Sequence, residues 1–191
     1  TKGGRIEMEI KIIDNIVKWE YNEKSVEIKI DNVIWSRFRK DKDMIFIKTG
    51  KNFIANAYYY YALSGEPLMK YDLETGEVTW YHNGEHQLAL PYTETVGFYP
   101  EHHLLLIIYR TAEERNAITA MKIFDLDGNL LYSFTSPEGY TMMYVTEIDE
   151  KYAKVVCDAT IEENVDPYGR DRFNFTLDLQ TGQWDKVGLA Y

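Results

Sequence analysis

The chain has 191 residues, 31 acidic side chains against 21 basic ones, and a net charge of −10. That length suits one domain with a sizeable core. The acidic excess speaks against nucleic acid as a partner, because phosphate binding needs clustered Lys and Arg. It keeps the protein soluble and admits a basic protein as a partner. No run of about 18 apolar residues is present, so the sequence contains no membrane-spanning segment.

Sixteen Tyr, eight Phe and four Trp with only five Pro favour pleated, half-buried strands over helices. Cys157 is the single cysteine, so no internal disulfide and no cysteine-built metal site can form. Its context reads as a strand, which makes it a small packed hydrophobe. The chain starts at Thr1 without a Met, as it would after removal of an export signal and equally after trimming.

In chain order, residues 5–12 offer a first strand. Residues 17–21 and 25–30 flank a turn and form a hairpin, and residues 33–38 and 44–48 add two strands. A run of four tyrosines, Tyr58, Tyr59, Tyr60 and Tyr61, comes next. The Tyr71-Asp72-Leu73-Glu74-Thr75-Gly76 segment leads into a strand at 78–81. Residues 94–99 and 104–109 follow, the latter apolar on both faces. Helical periodicity is weak everywhere, and residues 111–121 hold at most a short turn of helix. The Phe124-Asp125-Leu126-Asp127-Gly128 turn precedes a strand at 130–134, with further strands at 141–146 and 152–157. Residues 161–172 carry Asn164, Pro167 and Gly169 and read as a long surface loop. The last hairpin runs through Leu177-Asp178-Leu179-Gln180-Thr181-Gly182 into residues 184–187.

The three Asp-Leu pairs begin at Asp72, Asp125 and Asp178, 53 residues apart each time. An equal step repeated is an internal repeat. Gly76, Gly128 and Gly182 stand where a tight turn needs positive φ. One more step back reaches Trp19 in the 17–30 hairpin, a degenerate fourth copy. The unit is four strands in about 50 residues, the pitch of a β-propeller blade. The expected fold is therefore all-β and β-propeller-like, with about four repeats of four antiparallel strands. A single domain over 1–191 would hold repeats near 5–50, 51–103, 104–156 and 157–191. Upstream of the first copy there is room for one strand, which leaves a three-stranded blade or an exposed edge.

The Tyr71 to Trp80 segment resembles the blade signature of quinoprotein-type and WD-like β-propellers, in which an Asp-Leu-x-Thr-Gly turn precedes a Trp. Leu177 to Trp184 matches it again, and Phe124 to Phe134 keeps the turn without the Trp. The resemblance implies a blade and no particular cofactor. Four blades make a small member or a fragment of a larger propeller. Trp80 and Trp184 are expected to support blade packing.

Candidate sites are few. Tyr58 and Tyr60 face one way in an extended strand, Tyr59 and Tyr61 the other. Aromatic faces with hydroxyl tips suit protein partners and sugar rings. Tyr92 and Tyr99 join the tyrosine run as candidate binding residues, with Trp35, Trp80 and Phe98 as extensions. His82, His86, His102 and His103 are the candidate metal ligands, with Glu85 and Glu101 as oxygen donors. Exposed loop histidines without metal are the plainer reading, and Asn83-Gly84 argues for a turn between the first two. The Asp125 to Asn129 segment lacks the downstream Glu of a calcium loop and is explained by a hairpin turn. Glu162, Glu163, Asp166 and Asp171 are the candidate acid–base carboxylates. No nucleophile elbow, phosphate loop or zinc-binding helix motif occurs. The expected function is a non-catalytic module that binds a protein or glycan through one face, without a cofactor. The alternatives are a glycoside-acting hydrolase using the loop carboxylates and an acidic inhibitor of a basic protein.

Overall fold

The computed structural model describes residues 8–191; Arg5, Ile6 and Glu7 of the expected first strand lie outside the described residues. The described chain is all-β, with seventeen strands and two single-turn 3-10 helices at Pro100–His102 and Glu162–Asn164. Among the described residues no helix is long and apolar enough to cross a membrane. The chain divides into two compact units, residues 1–89 and 90–191.

The first unit contains two antiparallel sheets. β1 (Lys11–Ile13), β2 (Ile16–Tyr21) and β3 (Lys24–Lys29) form one. β4 (Val33–Arg39), β5 (Met44–Lys51), β6 (Ile54–Ala62), β7 (Pro67–Asp72), β8 (Glu77–Tyr81) and β9 (Glu85–Ala89) form the other, a six-stranded meander. Between β2 and β3, Asn22 and Glu23 both take positive φ, 49° and 62°. That is the two-residue turn whose twist matches the strands it joins. Val17 and Trp19 of β2 pack on Ile45 and Ile47 of β5. The Trp19 indole, 1% exposed, donates to the Leu63 carbonyl at 2.8 Å, so its one polar atom is satisfied inside the core.

The second unit is two four-stranded meanders. β10 (Thr93–Tyr99), β11 (Leu104–Arg110), β12 (Thr119–Asp125) and β13 (Leu130–Thr135) make the first. β14 (Tyr140–Ile148), β15 (Tyr152–Ala159), β16 (Arg172–Asp178) and β17 (Trp184–Leu189) make the second. Leu106, Ile108, Met121 and Ile123 pack against Val155, Cys157, Phe173 and Phe175. Burying one such aliphatic side chain fully stabilises by about 1.5–3 kcal/mol. Every residue from Leu104 to Ile108 is buried, as the doubly apolar pattern of that strand requires. Thr119 is buried, and its hydroxyl accepts the Met142 N–H at 2.9 Å, tying β12 to the start of β14. Cys157 is fully buried, and desolvation, with Asp158 beside it, pushes its thiol pKa up to about 12.

The fold is β-propeller-like, and its repeat has a physical basis. Asp72 Oδ1 accepts the N–H groups of Glu74 and Thr75 at 2.9 and 3.1 Å. Asp178 Oδ1 accepts those of Gln180 and Thr181 at 2.9 and 3.0 Å. Asp125 also accepts the Asn129 N–H at 2.8 Å and the Asn129 side-chain amide at 3.0 Å. The following leucines repeat a second contact: Leu73, Leu126 and Leu179 donate their N–H to the carbonyls of Asn56, His103 and Lys151. β6, β11 and β15 are thus equivalent, each pairing with an Asp-ending strand. The expected four strands per repeat hold in the second unit, whereas the first unit has three and six. The tyrosine run lies in β6 of that larger sheet, between β5 and β7, with β4 and β9 as the sheet's outer strands. Residues 111–118 form bends and turns without helix.

Candidate functional site

Cross-strand register decides which side chains share a face, because directly paired residues point the same way. In the six-stranded sheet Arg37 pairs with Phe46, Phe46 with Tyr60, Trp35 with Lys48, and Lys48 with Tyr58. One face therefore carries Trp35, Arg37, Phe46, Lys48, Tyr58 and Tyr60, with aromatic and cationic groups interleaved. Tyr59 and Tyr61 point to the opposite face and pack on the core of Val17, Trp19, Ile45 and Ile47. The alternation expected for the tyrosine run is what the strand provides.

The rings on the shared face form a connected cluster. Phe46 lies 5.6 Å from Trp35, 5.5 Å from Tyr58 and 5.3 Å from Tyr60, centroid to centroid. Trp35 is 43% exposed, and Phe46, Tyr58 and Tyr60 are half-buried. Cations sit over the ring faces: the Arg37 guanidinium is 5.0 Å from the Trp35 ring and the Lys42 ammonium 6.0 Å from the Tyr60 ring. Arg39 reaches the Tyr60 hydroxyl at 3.4 Å and holds Asp41 through two hydrogen bonds of 3.0 and 2.9 Å. The hydrogen bonds from Arg39 outweigh the desolvation of Asp41 and hold its carboxyl below the ordinary range. Burial raises the Tyr60 pKa, partly opposed by Arg39. That hydroxyl stays protonated at neutral pH.

The charge of the chain is divided unequally. Residues 1–89 hold thirteen Lys and Arg against fourteen Asp and Glu, a net −1, whereas residues 90–191 hold eight against seventeen, a net −9. The whole-chain charge conceals a first unit that is nearly neutral and that places Arg37, Arg39, Lys40, Lys42 and Lys48 on the aromatic face or at the β4–β5 turn.

Tyr92 and Tyr99 lie in the second unit. The Tyr92 ring sits under the Arg110 guanidinium at 5.4 Å, and Arg110 forms an ion pair with Glu94 at 2.6 Å. Tyr99 folds back over Gly97, leaving no room for a side chain there: a Cβ would lie 2.6 Å from the Tyr99 ring. Its ring also packs on the second unit's core.

Among the described residues no three His, Cys, Asp or Glu side chains come together as a metal site. His86 is on β9, its ring stacked on Trp80 at 5.2 Å and hydrogen-bonded to the His82 carbonyl at 2.9 Å. His102 belongs to the 3-10 turn, and His103 ends it in the left-handed region at φ 56°. Glu162 and Glu163 open the other 3-10 turn on exposed chain. Asp166 accepts the N–H groups of Tyr168 and Arg170 and the Arg170 side chain at 2.6 Å. Desolvation opposes these bonds, but together they hold the Asp166 carboxyl below its ordinary range. A carboxylate so held is a poor proton donor. Asp171 is exposed, and its carbonyl takes the Ala159 N–H.

No family model matches the chain, and no curated protein does. Among solved structures, the chain is similar to the N-terminal domain of Nup159, with 13% identity and a TM-score of 0.45 over 95% of this chain and 61% of that one. A Saccharomyces cerevisiae complex of Dbp5 bound to Nup159, Gle1, IP6 and ADP matches at 12% identity and a TM-score of 0.42, over 95% of this chain and 60% of that one. The chain spans about three fifths of the length of these solved chains.

Proposed function

We propose that the protein is a non-catalytic recognition module that binds a protein partner through the aromatic and cationic face of β4, β5 and β6. The observation that carries this reading is the interleaving of Trp35, Phe46, Tyr58 and Tyr60 with Arg37, Lys48 and Lys42 on one accessible sheet face. Trp, Tyr and Arg are the side chains that dominate protein recognition, since they give large contact at low entropic cost. A face with cations between its rings suits a segment that alternates acidic with aromatic or aliphatic residues. Carboxylates pair with Arg37 and Lys48 while the apolar residues cover the ring cluster. Of the four candidate carboxylates, Asp166 is engaged as a turn-closing acceptor, which favours the binding reading over the hydrolase alternative at that residue.

The test is an anisotropy titration of a fluorescein-labelled peptide alternating Glu with Phe, beside a Lys–Phe counterpart. The Glu–Phe peptide is expected to bind more weakly as salt rises, with Arg37→Glu weakening it by about tenfold or more. Equal binding of both peptides, or an Arg37→Glu variant that binds like the parent, would overturn the reading. A response to oligosaccharides that ignores salt would point to a glycan instead.

A further inference from the structure

A concave surface lies wholly within the acidic second unit. It is a cleft of about 670 Å³ where the end of β13, residues 136–139 and the starts of β14 and β17 meet. Ile118, Phe134, Tyr140 and Trp184 give it apolar walls, and Glu138 is the one charged side chain among its lining residues. Ile118 is 64% exposed, unusual for an isoleucine with nothing to cover it.

The walls are held in place. The Trp184 indole donates to the Thr135 carbonyl at 3.1 Å and meets the Phe175 ring edge-on at 6.1 Å, so the indole plane is fixed. The opposite wall turns at Gly139, whose φ is 78°. The Gly139 carbonyl accepts the Thr160 N–H at 2.8 Å and the Asn164 side-chain amide at 3.2 Å. These bonds fasten the segment bearing Glu162 and Glu163 to the rim of the cleft. Tyr140 of the wall is itself held from behind: its hydroxyl accepts from the Lys186 ammonium at 3.0 Å, and that ammonium lies 3.7 Å from the Phe173 ring centre, neither Lys186 nor Phe173 lining the cleft.

We propose that this cleft takes a basic, extended segment of another protein, with Arg or Lys stems on Phe134 and Trp184 and apolar residues against Ile118. Charge complementarity selects the occupant, since the unit carries a net −9 and its cleft offers Glu138 beside aromatic rings. Long cationic side chains bury apolar stems while keeping the charge near acidic groups, which matches a cleft with apolar walls and an acidic rim. The cleft shares no lining residue with the aromatic face of the first unit and prefers the opposite charge.

The probe is a short fluorescein-labelled peptide alternating Arg with Leu, with a Lys–Gly peptide of equal charge as control. Anisotropy is read against the parent chain, Glu138→Lys and Glu150→Lys. Glu150 is an exposed acid of the same unit that does not line the cleft. The Arg–Leu peptide is expected to bind, Glu138→Lys to weaken it by about tenfold, and Glu150→Lys to change it by less than about threefold. Arg37→Glu should leave it unchanged, which separates failure here from failure of the first site. Equal loss in both Glu variants, or equal affinity for the Lys–Gly control, would mean that the unit's overall field attracts cations without a site. Either result, or no binding, would overturn the proposal.

Discussion

The Trp80 indole and the His86 imidazole lie parallel across the β8–β9 pair, with centroids 5.2 Å apart and planes 16° from each other. Trp80 is 2% exposed and His86 half-buried, so the histidine serves as a lid on a core side chain. Replacing Trp80 with Ala is expected to cost about 3–5 kcal/mol in urea unfolding. Trp184, whose ring is only half-buried, should cost clearly less on the same substitution. Equal losses would contradict this placement of the two rings.

Gly139 and Gly182 both take positive φ, 78° and 73°, but differ in the space around them. A Cβ at Gly139 would lie 2.3 Å from the Asn164 side-chain nitrogen and 2.9 Å from Ile161, while one at Gly182 meets Phe134 at an ordinary 3.5 Å. Gly139→Ala should therefore destabilise by about 1–3 kcal/mol and Gly182→Ala by about 1 kcal/mol. Chemical unfolding of both variants checks the order.

The Asp149 carboxyl is held below its ordinary pKa by the N–H groups of Tyr152 and Lys151, at 2.8 and 2.7 Å. Asp125 and Asp166 are lowered as well, their hydrogen bonds outweighing desolvation. A group whose folded pKa is depressed adds stability above its unfolded value, and that stability is lost as pH falls through the folded value. Melting temperature should be steady near neutrality and fall below about pH 4. Asp149→Asn should start lower and fall less steeply, and parallel curves would contradict the assignment.

Cys157 is fully buried, with its thiol pushed up to about 12. It should resist a thiol reagent such as DTNB at pH 8 in the native protein and react fully in denaturant. Rapid native labelling would mean that β15 opens far more readily than its core position implies.

The hairpins were legible in the sequence because a side-chain acceptor, a leucine and a left-handed glycine recur together, and each makes the same contact in at least two copies. The tyrosine run as a sheet strand was harder to place. Four identical residues carry no alternation of polar and apolar types, so nothing in them distinguishes the core face of Tyr59 and Tyr61 from the open face of Tyr58 and Tyr60 until partners are known. The cationic character of that face was hidden for another reason. Arg37 and Lys48 come from different strands, and the net charge averages a nearly neutral unit with a strongly acidic one. The cleft at Trp184 is not legible in the sequence because its walls come from segments as far apart as Ile118 and Trp184, which meet only where the two sheets of the unit adjoin. Tyr99 is half-buried, with part of its ring over Gly97 and against the second unit's core, a packing that the sequence around it does not announce.

The four tryptophans allow the central claim to be tested in one spectrum. Trp35 reports the aromatic face and Trp184 the cleft, while Trp19 and Trp80, at 1% and 2% exposure, serve as internal controls. The measurement is the indole N–H region of a ¹⁵N correlation spectrum during titration with the Glu–Phe peptide. The Trp35 signal is expected to move, while those of Trp19, Trp80 and Trp184 stay in place. A Trp35 signal that remains fixed while the peptide binds would contradict the assignment of that face as the recognition surface.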